Sequence, residues 1–115
     1  MVAITQGEIW WADLAEPLGS ELGYRRPVVI VQGDPLNRSR IATIVVVPLT
    51  SNLEWSGAPG NVFLPSELTG LRKDSVANVS QIMTLDRRTL TERVSKLPQS
   101  KLDLIFSGID IILDR

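Results

Sequence analysis

The chain contains neither cysteine nor histidine, and the two absences remove most of the familiar routes to catalysis. Without thiols there are no disulfides, no thiolate nucleophile and no Cys-based metal site. Without imidazole there is no Ser-His-Asp or Cys-His triad, and no His-ligated metal. Any acid–base work falls to Arg, Lys, Asp, Glu, Tyr or an activated hydroxyl. Long apolar runs are missing as well: none approaches the ~18 residues that would span a bilayer. The N-terminal MVAITQGE has no basic stretch followed by an apolar one, so no signal peptide is expected. A cytoplasmic protein without membrane attachment fits these absences.

Net charge is also scarce, −1 over 115 residues, which argues against a generally basic, nucleic-acid-coating surface. The charge is unevenly placed, however. Residues 1–23 carry Glu8, Asp13, Glu16 and Glu21 with no base, whereas residues 24–50 carry Arg25, Arg26, Arg38 and Arg40 against Asp34 alone. A focused basic site in a near-neutral protein is compatible with that pattern. The length is that of one ordinary domain, and no repeat, low-complexity segment or internal boundary divides residues 1–115.

The chain is organised around Gly19 to Val31, GSELGYRRPVVIV. Gly19 and Gly23 permit positive φ, so the first part is a loop that can turn tightly or admit a ligand. Pro27 lacks an N–H and holds Arg26 extended. Val28 to Val31 reads as a buried strand. An arginine at the mouth of a rigid strand beside such a loop suits recognition of a phosphate or carboxylate, because guanidinium is a planar, always-charged fork of donors. A surface arginine near a hairpin turn is the plainer reading of the same stretch.

Other strands follow from apolar runs and alternation. Glu8 to Asp13 alternates so that Ile9 and Trp11 share one face, Trp10 and Ala12 the other; one tryptophan enters the core and the other lies outside or at an interface. Ala42 to Leu49 is nearly all apolar, as a central strand would be, and delivers Thr50, Ser51 and Asn52 just past its end. Thr50 meets Arg26 if the two strands run side by side. Asn52 to Asn61 reads as a mobile loop carrying Trp55 as a lid or partner contact. Short strands are expected at Asn61–Leu64, Ser75–Val79, Ile82–Leu85 and Arg93–Leu97, with a helical turn at PSELTG capped by its serine and a turn capped by Asp86. From Ser100, the apolar residues Leu102, Ile105, Phe106, Ile109, Ile112 and Leu113 follow helical spacing, with Gly108 weakening the helix by ~1 kcal/mol. Six or seven short strands, one C-terminal helix and no βαβ alternation make a mainly β (α+β) protein. The natural architecture is a small, bent antiparallel barrel or sheet with a helix packed on it.

The ordered set GEIWWADL, GSELGYRRPVVIVQ, Asn37-Arg38, VVVPLTS, LRKDSVANVSQIMTLDRRTL and the terminal amphipathic helix resembles the MazF/PemK family of toxin endoribonucleases, from about Gln6 to the C-terminus. The resemblance implies an SH3-like barrel that forms a homodimer. It implies cleavage of single-stranded RNA at short motifs with no metal or other cofactor, and inhibition by a cognate antitoxin whose largely disordered segment covers the RNA groove. It places the catalytic pair on Arg26 and Thr50. It further implies RNA contacts at Ser20 and Glu21 in the first loop, at Ser80 and Gln81, and auxiliary roles for Arg25 and Ser51. Two departures stand out. Some relatives have an acidic residue, proposed as general base, where this chain has Ser80, and they use a first-loop histidine that is absent here. Glu21 is the carboxylate left in the key loop. The expected chemistry is attack of the RNA 2′-OH on the adjacent phosphate, giving a 2′,3′-cyclic phosphate and a 5′-OH. The same fold also resembles a toxin type that binds DNA gyrase without nuclease activity; that mode depends on an exposed C-terminal aromatic, and the chain ends Ile-Leu-Asp-Arg. A degenerate relative that only binds antitoxin is the remaining alternative.

Overall fold

The computed structural model describes residues 3–14 and 25–115. Seven strands lie in these residues: β1 (Glu8–Asp13), β2 (Arg25–Ile30), β3 (Thr43–Thr50), β4 (Val62–Leu64), β5 (Ser75–Ala77), β6 (Met83–Asp86) and β7 (Leu90–Lys96). They form one curled antiparallel sheet, a half-barrel ordered β4-β5-β3-β2-β1-β7, with β6 also pairing β3. Three helices accompany it: α1 (Asp34–Asn37), α2 (Ser66–Thr69) and the long α3 (Gln99–Leu113). The mainly β architecture expected from the sequence is therefore the one observed.

The central strands are apolar at consecutive positions because both of their faces are covered. Ile9, Val29, Val47 and Leu49 turn to one side, where they join Leu64, Val79 and Leu97 and are capped by Leu102 and Ile105 of α3. Their neighbours Trp10, Ala12, Val28, Ile30, Ile44 and Val46 turn to the other, with Ile4, Leu14 and Leu85. The two adjacent tryptophans thus part company: Trp10 is buried at 4% exposure, and Trp11 is only partly covered.

Register follows from this burial, since a one-residue slip would exchange the two apolar sets. β2 pairs β3 through Val28–Pro48, Val29–Val47 and Ile30–Val46. Pro27 and Pro48 supply no backbone donor, and the ladder ends at Val28–Pro48. Thr50 is the last residue of β3, opposite Val76 of β5, rather than a loop residue beyond the strand.

Three local expectations change. Asn52 to Asn61 is structured: Leu53–Gly57 forms a 3₁₀ turn whose Asn52 side chain accepts the Glu54 N–H. Ser66 does not cap α2. Pro65 occupies the cap position, and Asp74 Oδ1 takes the Ser66 N–H at 2.8 Å, a partner eight residues away that a local pattern does not reveal. Asp86, as expected, caps its turn through the Arg88 N–H at 2.8 Å. In α3 the apolar stripe holds through Leu102 and Ile105, while Ile111, Ile112 and Leu113 in the last turn are exposed.

Gly108 is a packing requirement and not a flaw in α3. A Cβ there would lie 2.0 Å from the Gly60 carbonyl oxygen, and Gly60 itself sits at φ +83. Helix propensity alone predicts that Gly108→Ala stabilises by about 1 kcal/mol. The close approach predicts destabilisation by about 1–3 kcal/mol, read as a lower urea midpoint at unchanged m-value. A raised midpoint would show that α3 is not pinned at this contact.

Glu8, buried at the start of β1, joins the two ends of the chain. Its Oε2 meets Arg93 Nε at 2.6 Å, and its Oε1 accepts from Thr5 N at 2.8 Å and Trp10 Nε1 at 3.1 Å. Burial by itself pushes the carboxyl pKa up; the Arg93 bond, then the Thr5 and Trp10 donors, outweigh it, and the pKa is lowered. A depressed folded pKa adds stability above the unfolded value of about 4.3, and that stability is lost as pH falls through the folded pKa. Urea titrations from pH 7 to pH 3 should therefore show a steeper acid loss for the wild type than for Glu8→Gln. Parallel curves would remove Glu8 from the acid sensitivity.

Candidate functional site

The β2–β3 register leads directly to the candidate site. Carried two residues past Val28–Pro48, it sets Arg26 opposite Thr50, at the end of the sheet where the ladder has stopped. Alternation gives both residues the same face of their strands. On the other side of β2, Arg26 pairs with Ala12 of β1. Arg26 is buried at 8% exposure and Thr50 at 5%.

The Arg26 Nη1 donates to the Leu49 carbonyl at 3.4 Å, which ties the side chain to the residue before Thr50. Desolvation by burial lowers its pKa. At the cleft, the guanidinium is a planar, charged fork of donors, which suits a phosphate or carboxylate. Thr50 Oγ1 accepts the Asn52 N–H at 3.1 Å, which orients the hydroxyl while leaving its own proton to donate.

A cleft of about 590 Å³ opens at this end of the sheet. Arg25, Arg26, Pro27 and Trp11 line one side, and Leu71, Arg72, Lys73 and Ser75 the other, with Leu49 and Ser51 between them. Arg25 is held above the Trp11 ring, its guanidinium carbon 4.3 Å from the centroid, and its Nη2 lies 3.7 Å from Glu92 Oε1. Among the described residues that line it, four of ten are cationic and none is acidic.

The expected site residues divide into three groups. Arg26, Arg25 and Ser51 line the cleft, and Thr50 lies opposite Arg26 by register. Ser20 and Glu21 lie outside the described residues. Ser80 and Gln81 are not in the cleft: Ser80 Oγ donates to Asn78 Oδ1 at 3.3 Å, and Asn78 Nδ2 donates to Gln81 Oε1 at 2.9 Å. Through Asn61, which reaches both Asn78 Oδ1 and the Trp55 carbonyl, they belong to a separate polar cluster beside the half-exposed Trp55. Local reading assigned no site role to Trp11, Arg72 and Lys73. The basic pair stands next to an acid in LRKD and reads there as an ordinary solvated segment; only the tertiary fold carries it to Arg26.

A second cleft, about 490 Å³, lies beside Trp10 and Ile4, with Arg40, Arg87 and Arg88 at its rim. Arg87 donates to the Ile41 and Leu36 carbonyls, and Arg88 pairs with Asp86 at 3.0 Å. Those two cations are already engaged in holding turns together.

The fold and sequence both have well-defined relatives. The model of the PemK-like, MazF-like toxin of type II toxin–antitoxin systems matches residues 5–113. The chain is 45% identical over 113 residues to endoribonuclease MazF2 of Mycobacterium bovis, covering 98% of this chain and 99% of the relative. It is 31% identical over 110 residues to endoribonuclease EndoA of Bacillus subtilis, covering 96% and 94%. Among solved structures, MazF from Deinococcus radiodurans superposes with a TM-score of 0.80 at 23% identity, covering the whole of both chains. A mycobacterial endoribonuclease in complex with its cognate antitoxin superposes at 0.72 and 24% identity, covering 99% of this chain and 96% of that one. The chain belongs to the PemK-like, MazF-like toxins of type II toxin–antitoxin systems.

Proposed function

We propose that this chain is the toxin of a toxin–antitoxin pair, a sequence-specific endoribonuclease acting on single-stranded RNA in the cytoplasm. The observation that carries the reading is the buried Arg26, lining an open, cationic cleft and set opposite Thr50 by strand register, in a chain 45% identical to a relative named an endoribonuclease. The reaction consistent with these groups needs no protein nucleophile and no metal. The substrate 2′-oxygen forms a bond to phosphorus and gives up its proton, while the bond from phosphorus to the 5′-oxygen breaks and that oxygen takes a proton. The products are a 2′,3′-cyclic phosphate and a 5′-OH.

Arg26 is placed to bind the non-bridging oxygens and stabilise the charge that grows on the phosphorane. A guanidinium titrating above ~12 is a poor proton donor, so its part is electrostatic. Thr50 holds a phosphate oxygen or the 2′-OH through its free proton, keeping the reacting atoms in line. The chain acts as a homodimer, and its activity is blocked by a cognate antitoxin, as the mycobacterial endoribonuclease of the same fold is found in complex with one.

Purified protein incubated with mixed-sequence RNA in EDTA should give discrete cuts ending in cyclic phosphate. Arg26→Ala should lose cleavage by about 10²-fold or more while its urea midpoint shows a folded protein; Thr50→Ala should fall in the same direction. A folded Arg26→Ala cutting at the wild-type rate would refute the role of Arg26. Intact RNA from folded wild-type protein across many sequences would remove the ribonuclease reading and make gyrase binding the next assay.

A further inference from the structure

We infer that the Trp11–Arg25 stack and the Arg72–Lys73 pair form a nucleotide subsite next to Arg26, holding the RNA residue that adjoins the scissile phosphate. The inference rests on the ribonuclease reading and specifies how the same cleft grips its substrate.

Three observations converge on it. Trp11 is the partly exposed member of the tryptophan pair, and its ring faces a cleft together with Pro27, Leu49 and Leu71. That is an apolar floor against which an unpaired base can pack irrespective of its identity. Arg25 is fixed over the Trp11 ring and near Glu92, so the guanidinium, backed by the indole, is the plane offered for stacking on a base. The opposite wall carries Arg72 and Lys73, both exposed, and among the described residues neither side chain has a hydrogen-bond or ion-pair partner. They are cations without a structural task, in contrast to Arg87 and Arg88 of the second cleft. Their position across the cleft from Trp11 suits the phosphate that follows a stacked base. A net charge of −1 for the chain makes this concentration of four cations in one cleft a local feature and not a general basicity.

The pair is tested first, because exposed positions tolerate substitution. With an oligonucleotide that the wild type cuts, Arg72→Ala/Lys73→Ala should raise KM about tenfold or more with kcat within about threefold. The slope of log(kcat/KM) against log[salt] should become shallower by about 1.4, two single-strand phosphate contacts at ~0.7 each. Trp11→Ala should also raise KM about tenfold, and Trp11→Phe should restore most of the loss. Wild-type KM and salt slope in the paired variant would overturn the subsite, as would Trp11→Phe failing like Trp11→Ala in a folded protein.

A wild type that cuts no RNA would defeat the ribonuclease reading; fluorescence anisotropy of the same labelled RNA then judges the cleft by itself. An affinity lowered about tenfold by the paired alanines would support the subsite, and an unchanged affinity would overturn it. If the paired alanines weaken antitoxin binding and leave every RNA constant unchanged, the cleft belongs to a protein partner and the subsite falls.

Discussion

The antiparallel register between β2 and β3 is the constraint on which the candidate site depends. Val29 and Val47 must face α3, and Val28, Ile30 and Val46 must face the other cluster. With both faces filled by different side chains, a one-residue slip would misplace two apolar sets at once. The alignment that packing demands in the middle of the sheet therefore also fixes which residues meet at its end. Arg26 and Thr50 are set opposite each other because, further along the same strands, valines and isoleucines have nowhere else to go. Pro27 and Pro48 add the second requirement: by offering no backbone donors they end the ladder, and the sheet opens where a substrate would enter.

Burial gives that pair its chemical character. A solvated arginine binds a phosphate weakly because water competes for its donors and screens its charge. Arg26 at 8% exposure has already lost most of that hydration on folding, so its interaction with an anion is stronger and less screened. Arg25, Arg72 and Lys73 around it remain exposed, and their attraction is longer in range but salt-sensitive. On the proposed reading, the division is between a buried cation that acts at the reacting atoms and exposed cations that gather and orient a polyanion. It also explains how a chain of net charge −1 can handle RNA without a basic surface.

Much of this was legible in the residues themselves. Consecutive apolar positions in PVVIV and TIVVVPL announced central strands, and helical spacing from Leu102 announced α3. Arg26 was conspicuous as an arginine locked by Pro27 at a strand mouth. What escaped was whatever depended on distant partners. Asp74 capping α2 in place of Ser66, Gly60 accounting for Gly108, and Leu71–Lys73 folding over to face Trp11 each join segments with no shared local pattern. Gly108 is the clearest case: propensity scored it as a defect because a single helix contains no information about the backbone that crosses it. Ser80 and Gln81, which resemblance grouped with the site, bond to Asn78, another arrangement that no local pattern announced.

The composition of the cleft bears on the reaction in a way that motif matching does not. Its described walls contain cations, a serine hydroxyl and apolar surface, with no carboxylate among them, and the chain has no imidazole. Such a site is strong in stabilising negative charge and poor in removing protons. Proton abstraction and charge stabilisation are linked, however: an arginine that lowers the energy of the dianionic phosphorane also makes the 2′-oxygen's attack less dependent on a strong base. On the proposed reading, the departure from relatives at Ser80 is then tolerable. The site relies on Arg26 to make the phosphate a better electrophile, and a weak acceptor, Glu21 of the first loop or solvent, suffices for the proton.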